Sequence, residues 1–342
     1  MPSTQSWLQA IDPTDLDLNS TIVRLRNHHY PPGGLDNSNF GPADMGMKEM
    51  IEAARMYYAG PNKTDPVANF TSWCHATQIF QADYYSSQIQ FYRRGSGMPE
   101  RQLGSLYWQL EDQWQAPTWA GIEYDGRWKV LHYIAKDRYR NVIISPFFDT
   151  DAGSLDVYVT SDLWQPASGH ASFTWYDWRG KELNISTIPS VPINVGAINT
   201  TIALHINVTE VLGGVDLNNT VLYMETSLRG NLPNSKTTQE FHHQNWFHPA
   251  YLSQANLADP GLKLMHLPDS KKFRVEATTA IAPWVWLDYP AGALVHFERN
   301  GFWLRPGEAL DIGYVEYPEV DKTNGTWVQK VTAQSIWDLK LP

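Results

Sequence analysis

The sequence predicts an α/β portion followed by an all-β region. Two observations carry this reading. Up to about residue 140 apolar residues recur at helical spacing, and beyond about residue 142 they alternate with a period of two. A third observation is a shortfall. The first part offers one secure strand, whereas an independent parallel sheet needs several strands covered on both faces.

In "MKEMIEAARMYY" the residues Met47, Met50, Ile51, Ala54 and Tyr58 share a face, and Asp44 is placed to cap the start. A second helix is expected from about Ser72 to Arg94, with Trp73, Ala76, Phe80, Tyr84 and Phe91 on one stripe. "GSLYWQL", residues 104–110, reads as a buried strand, a short apolar run bounded by glycine and an acidic turn. A third helix, "RWKVLHYIAKDRYRNV", turns Trp128, Leu131, Ile134 and Ala135 inward. Helix, strand, loop and helix is the order of an α/β unit.

After residue 142, "SLDVYVTS" sets Leu155, Val157 and Val159 on one side. "TIALHINV" sets Ile202, Leu204, Ile206 and Val208 against Thr201, Ala203, His205 and Asn207. Further short alternating runs separated by turn residues predict β-sandwiches. The region is about twice the size of one small sandwich, and "RGNLPNSKTTQEFHHQNWFHPAYLSQANLADPG" interrupts it, so two sandwiches are expected.

With 26 Lys plus Arg against 36 Asp plus Glu, the net charge is -10, which argues against a nucleic-acid groove or an anionic membrane as partner. The 15 tryptophans and 17 tyrosines supply flat faces with polar handles, suited to sugar rings as well as to cores. The single cysteine, Cys74, excludes an internal disulfide, and no run of eighteen apolar residues exists. Asn19, Asn62, Asn69, Asn184, Asn199, Asn207, Asn218 and Asn324 each open an N-x-S/T acceptor sequence, which predicts an extracellular, secreted glycoprotein. The first residues show no signal peptide, so a missing start is expected.

The densest stretch is "GSLYWQLEDQWQAPTW", residues 104–119, with three tryptophans and two adjacent acids. Period two points Glu111 and Asp112 opposite ways, a poor arrangement for the two facing carboxylates of sugar hydrolysis. Each acid reads first as a solvated or salt-bridged rim group. Trp108 is either interior packing or a sugar platform. His28, His29 and Cys74 follow no metal-ligand spacing, and His242, His243 and His248 read as satisfied inter-domain contacts rather than a metal site. No P-loop or G-x-S-x-G elbow is present, and no metal or organic cofactor is implied.

"LGSLYWQLEDQWQAPTWAGIEYDGRWKVLHYIAKDRYRNV", with "FQADYYSSQIQFYRR" before it, resembles the eighth strand and flanking helices of the β-mannosidases, members of the β-galactosidase-like retaining glycosidases. The resemblance is most specific over residues 75–140 and weak after 232. It implies α/β plus all-β: the C-terminal remnant of a (β/α)8 catalytic barrel (1–141), then two immunoglobulin-like β-sandwich domains (142–232, and 233–342 with an N-terminal connecting segment).

The family's catalytic glutamates lie at the ends of the fourth and seventh strands, the second followed by a segment resembling "QSMPS". The start "MPSTQSW" falls inside that segment, which implies that both glutamates lie upstream of residue 1 and that this chain contains no catalytic residue. The resemblance makes Trp108 the floor of the mannosyl subsite, with Asp112 and Trp114 as further substrate-binding residues, Asp112 also organising the loop by accepting hydrogen bonds and Trp114 and Trp119 lining or bracing the pocket. It places Arg26, His28, His29, Glu111 and Trp119 at the pocket rim. Glu111 stands where many members have asparagine. The implied activity is exo-hydrolysis of terminal β-D-mannose from β-mannosides or manno-oligosaccharides, with the missing N-terminal part as partner. A non-catalytic carbohydrate-binding or structural glycoprotein is the alternative, and a β-galactosidase or β-glucuronidase fits the "YWQL" and "WQAPTW" details less well.

Overall fold

The computed structural model describes residues 1–26, 36–37, 41–42, 45–185 and 190–340. It divides into two compact units, one of Met1–Tyr84, Tyr107–Ile134 and Leu252–Pro342, the other of Tyr85–Leu106 and Ala135–Tyr251.

The helical part of the first unit holds Met45–Tyr58 and the start of Pro66–Arg94. The expected cap Asp44 lies outside the described residues. The long helix begins before the expected Ser72 because Asp65 Oδ1 accepts from the Ala68 N–H at 2.7 Å, and Pro66, which lacks an N–H to satisfy, occupies the first helical position. Its buried face is led by Phe70, Trp73, Cys74, Ala76 and Ile79, and the first three of these pack with Trp7, Leu16, Val23 and Ala54. Tyr84 and Phe91, expected on the buried stripe, are exposed, while Gln78, Gln81, Gln90 and Arg93 are buried. This helix therefore buries hydrogen-bonding groups where a simple amphipathic pattern would put apolar ones. The third helix, Val130–Arg138, is shorter than predicted at both ends.

No regular strand forms over residues 104–110. The alternation is present, but Leu106, Trp108 and Leu110 point to solvent at 99%, 68% and 58% exposure. Pairing begins only at the end of this run: Gln109 O accepts from Gly121 N, Leu110 O from Ile122 N, and Asp112 N donates to Ile122 O, at 3.0, 2.9 and 2.9 Å. A strand buried on both faces needs neighbours along its length, and among the described residues only the 121–122 segment supplies such pairing.

The first unit also contains a sandwich. One antiparallel sheet runs Lys263–Leu267, Lys272–Glu276, Ala309–Glu316, Val295–Phe297, and a second runs Phe302–Leu304, Ala282–Asp288, Thr332–Gln334. Phe273, Val275, Val285, Leu287, Phe297 and Ile312 are buried on these strands.

The second unit is built on another sandwich. Its three-stranded sheet is Val142–Asp149, Ser154–Ser161, Asn199–Asn207, and its four-stranded sheet is Ser190–Val195, Ala167–Tyr176, Val221–Asn231, Thr238–Phe247. Val142, Ile144, Leu155, Val157, Val159, Phe173, Trp175, Leu222 and Met224 fill the space between them. The boundary expected at 232 falls inside a hairpin: Thr238–Phe247 pairs along its whole length with Val221–Asn231, so it completes the first sandwich. Ile202 is also displaced from its expected inward row. A register shift between Val157 and Tyr158 sets it opposite Tyr158, and it is exposed.

Candidate functional site

The stretch 104–119 is held from beneath by a buried polar network. Lys129 Nζ lies 2.9 Å from Asp112 Oδ2, with both side chains withdrawn from solvent. Thr118 Oγ1 donates to Asp112 Oδ1, and the same hydroxyl oxygen lies 3.4 Å from Lys129 Nζ and accepts from Ala120 N at 3.1 Å. Asp112 therefore closes the turn on itself. Both carboxylate oxygens are engaged inside the protein and the residue is only 4% exposed, the loop-organising role expected of it as an acceptor of hydrogen bonds.

A second internal carboxylate, Glu123, was not singled out from the sequence. Oε1 accepts from Ser3 N at 2.8 Å and Gln78 Nε2 at 3.1 Å, and Oε2 from Ser3 Oγ at 2.7 Å and Ser6 Oγ at 2.5 Å. Burial, then the charge of Asp125, pushes its pKa up against the opposing pull of Arg127 and Lys129. Four donors saturate it, and it ties the N-terminal turn to the long helix. Its sequence setting, "GIEYDGRW", looks like an ordinary turn, so pattern alone gave no signal.

Above this network the aromatic side chains are arranged differently from one another. Trp108, whose peptide to Gln109 is cis, presents its indole at the surface. Trp114 is 40% exposed and carries the Arg26 guanidinium 4.6 Å from its ring centre, while Arg26 Nε donates to Gln115 O at 2.6 Å. Partial burial lowers the Arg26 pKa. The structure thus joins Arg26 and Trp114 through a cation–π contact. Trp119 is half-buried, and its carbonyl accepts from Gln81 Nε2 at 2.7 Å, a bracing position. Glu111 is exposed, its carbonyl accepting from Gln109 Nε2 at 2.8 Å. His28 and His29 lie outside the described residues.

Tyr107 OH and His132 Nδ1, 2.8 Å apart, anchor the back of the stretch. Arg127 anchors the following loop: it pairs with Asp288 at 2.8 Å, donates to Tyr289 O at 3.0 Å and lies 3.6 Å above the Tyr289 ring. Burial works against its charge, but Tyr289, Asp288 and Glu123 outweigh burial and raise its pKa.

Chemically, this arrangement offers an exposed flat apolar face at Trp108 and a cation-capped ring at Trp114. Its two internal acids are committed to internal partners. Among the described residues no group of three or more His, Cys, Asp or Glu is disposed to hold a metal. Cys74 is buried, and burial pushes its thiol up to about 12, away from nucleophilic use. Among the described residues no helix is long and apolar enough to cross a membrane. His243 and His248 are satisfied within the second unit, by Asp137 with Ile144 N and by Ala250 O respectively. Of the acceptor asparagines, Asn19, Asn62, Asn184 and Asn324 are exposed, whereas Asn69, Asn199, Asn207 and Asn218 are half-buried.

The two sandwiches define the class. Residues 153–247 match the Mannosidase Ig/CBM-like domain, and residues 257–339 match the Ig-fold domain of the Ig_mannosidase family. The whole chain is 53% identical to the protein named Beta-mannosidase A of Aspergillus clavatus, covering 36% of it, and 53% identical to that of Aspergillus fumigatus, covering 37%. It corresponds to the C-terminal portion of these fungal β-mannosidases and spans little more than a third of their length. Among solved structures, the β-D-mannosidase of Dictyoglomus thermophilum superposes with a TM-score of 0.69 at 18% identity, covering 98% of this chain and 36% of that one. The exo-chitosanase CsxA of Amycolatopsis orientalis superposes at 0.64 and 16%, covering 98% and 40%. At such identities these two share the fold with this chain.

Proposed function

We propose that the chain is the C-terminal part of a secreted exo-β-mannosidase, removing terminal non-reducing β-D-mannose from β-mannosides or manno-oligosaccharides with retention. The carrying observation is the 53% identity across the whole chain to the C-terminal portion of fungal β-mannosidases. In this reading residues 1–141 are the last part of a (β/α)8 barrel, and the exposed side of 104–110 receives the preceding barrel strands. Outward-facing Leu106, Trp108 and Leu110 support it, since barrel closure would cover part of that row.

The two catalytic glutamates belong to the portion preceding residue 1. One attacks the anomeric carbon while the other protonates the leaving oxygen and then activates water. Trp108 supplies the floor on which the mannosyl ring's C–H face rests, and Arg26 with Trp114 forms part of the rim. The internal commitment of Asp112 and Glu123 supports assigning the cleavage to acids outside this chain. Secretion is supported by the four exposed acceptor asparagines.

The test is hydrolysis of p-nitrophenyl β-mannoside by this chain and by a version extended upstream through the barrel. Activity is expected only in the extended protein. Activity in the 342-residue chain itself would overturn the assignment and return attention to Glu111.

A further inference from the structure

Within the first unit, a small chamber of about 20 Å³ opens among Ser3, Gln5, His75, Glu123, Arg127 and Asp288. Three buried polar atoms on its lining residues have no protein partner: Gln5 Oε1, His75 Nε2 and Arg127 Nε. The orientation of the Gln5 amide is set independently, because its Nε2 donates to Asp288 Oδ2 at 3.0 Å, leaving the oxygen as an unused acceptor. Arg127 spends its terminal nitrogens on Asp288, Tyr289 O and Pro290 O, leaving Nε as an unused donor. His75 is 6% exposed and Arg127 3% exposed, so bulk water does not serve these atoms.

An unserved buried donor or acceptor costs about 1–3 kcal/mol, and native structures rarely leave several around one space. The lining also restricts what can enter. Arg127 repels a cation, and Glu123 with Asp288 repels an anion, so the occupant is neutral. The volume exceeds the roughly 10–15 Å³ one water requires and is far too small for a sugar.

We propose that this chamber is a binding site for one ordered water molecule, which donates to Gln5 Oε1, accepts from Arg127 Nε and bonds His75 Nε2. The water joins the N-terminal turn, the long helix and, through Arg127 and Gln5, the sandwich strand bearing Asp288. The C-terminal sandwich is thereby cross-linked to the helix packed beneath the aromatic stretch. This inference does not depend on the mannosidase reading.

A high-resolution diffraction structure of the full chain tests it directly, with a peak expected within about 3.2 Å of all three atoms. The variant His75→Phe gives an independent sign. Phenylalanine keeps the ring that lies 5.6 Å from Trp286. If the site holds water, removing Nε2 strips that water of a partner, and the thermal midpoint falls by a few degrees. If the chamber is dry, the same change removes an orphaned polar atom and the midpoint rises. Absence of the peak in the wild-type chain, or a rise in the variant, overturns the proposal. The wild-type measurement decides even if the variant does not fold.

Discussion

Lys129 Nζ and Asp112 Oδ2 meet at 2.9 Å with neither side chain reaching solvent. An ion pair in this setting is costly to split, because removing one charge leaves the other buried without compensation. Lys129→Met is therefore expected to destabilise the first unit by about 3–5 kcal/mol. The double variant Asp112→Asn with Lys129→Met recovers part of that loss, since no unpaired charge is left. Urea unfolding of Lys129→Met, Asp112→Asn and the double variant checks this. A loss in the double variant equal to the sum of the two single losses would show that the pair is not coupled.

His243 is set in one tautomer by its neighbours. The Ile144 N–H donates to Nδ1 at 3.1 Å, so Nε2 carries the proton toward Asp137 Oδ2 at 3.2 Å. Burial lowers its pKa, with Asp137 opposing and Arg138 and Arg140 assisting. The unfolded chain then takes up a proton at the ordinary value of 6.5 while the folded chain resists. Stability from this residue is complete above that pH and is lost as pH falls below it. Asp137 acts in the same direction at lower pH: burial would raise its pKa, but His243, Arg138 and Arg140 outweigh burial and hold it below the usual carboxylate range. His243→Asn, which cannot charge, is expected to flatten the loss of stability between pH 7 and pH 5. Parallel urea curves at both pH values decide the matter, and an unchanged slope refutes the assignment.

The β half was legible because its alternation records burial: Leu155, Val157 and Val159 all face the core as read. Thr238–Phe247 escaped because its first residues are polar and exposed, and its two buried polar residues, His243 and Asn245, are satisfied by hydrogen bonds that leave no apolar mark. The long helix was shortened in the reading for a related reason. Its start is set by Asp65 and Pro66, a local cap, while the apolar stripe begins later. In the candidate site, the buried strand read over 104–110 did not anticipate the exposed indole of Trp108, and nothing in the pattern pointed to Glu123 and Lys129. Their partners lie far along the chain or across a turn, so no spacing in the sequence brings them together.

The acceptor asparagines divide by what their side chains already do. Asn207 Oδ1 accepts from Glu210 N at 3.1 Å and caps the helix Val208–Leu212. Asn207→Ala should cost about 1 kcal/mol in thermal or urea unfolding, the usual price of losing such a cap. Asn62 and Asn324, both exposed, are expected to carry glycan at higher occupancy than Asn199 and Asn207 when the chain is expressed through a secretory pathway. Glycopeptide mass spectrometry measures this, and preferential modification of the half-buried pair would contradict it.

Trp108 offers the sharpest functional test. Its side chain is largely solvent-facing, so Trp108→Ala should leave the unfolding midpoint of this chain nearly unchanged. In the extended enzyme, the proposed stacking of the mannosyl ring on the indole makes the same change lower kcat/KM for p-nitrophenyl β-mannoside. A loss of about 1.4 kcal/mol of transition-state binding corresponds to about tenfold. Trp108→Phe, retaining a smaller flat face, should fall between the two. Trp119→Ala should behave oppositely and lower stability, because that residue is half-buried and its backbone is pinned by Gln81. If Trp108→Ala lost stability and Trp119→Ala lost only turnover, the roles assigned to the two tryptophans would have to be exchanged.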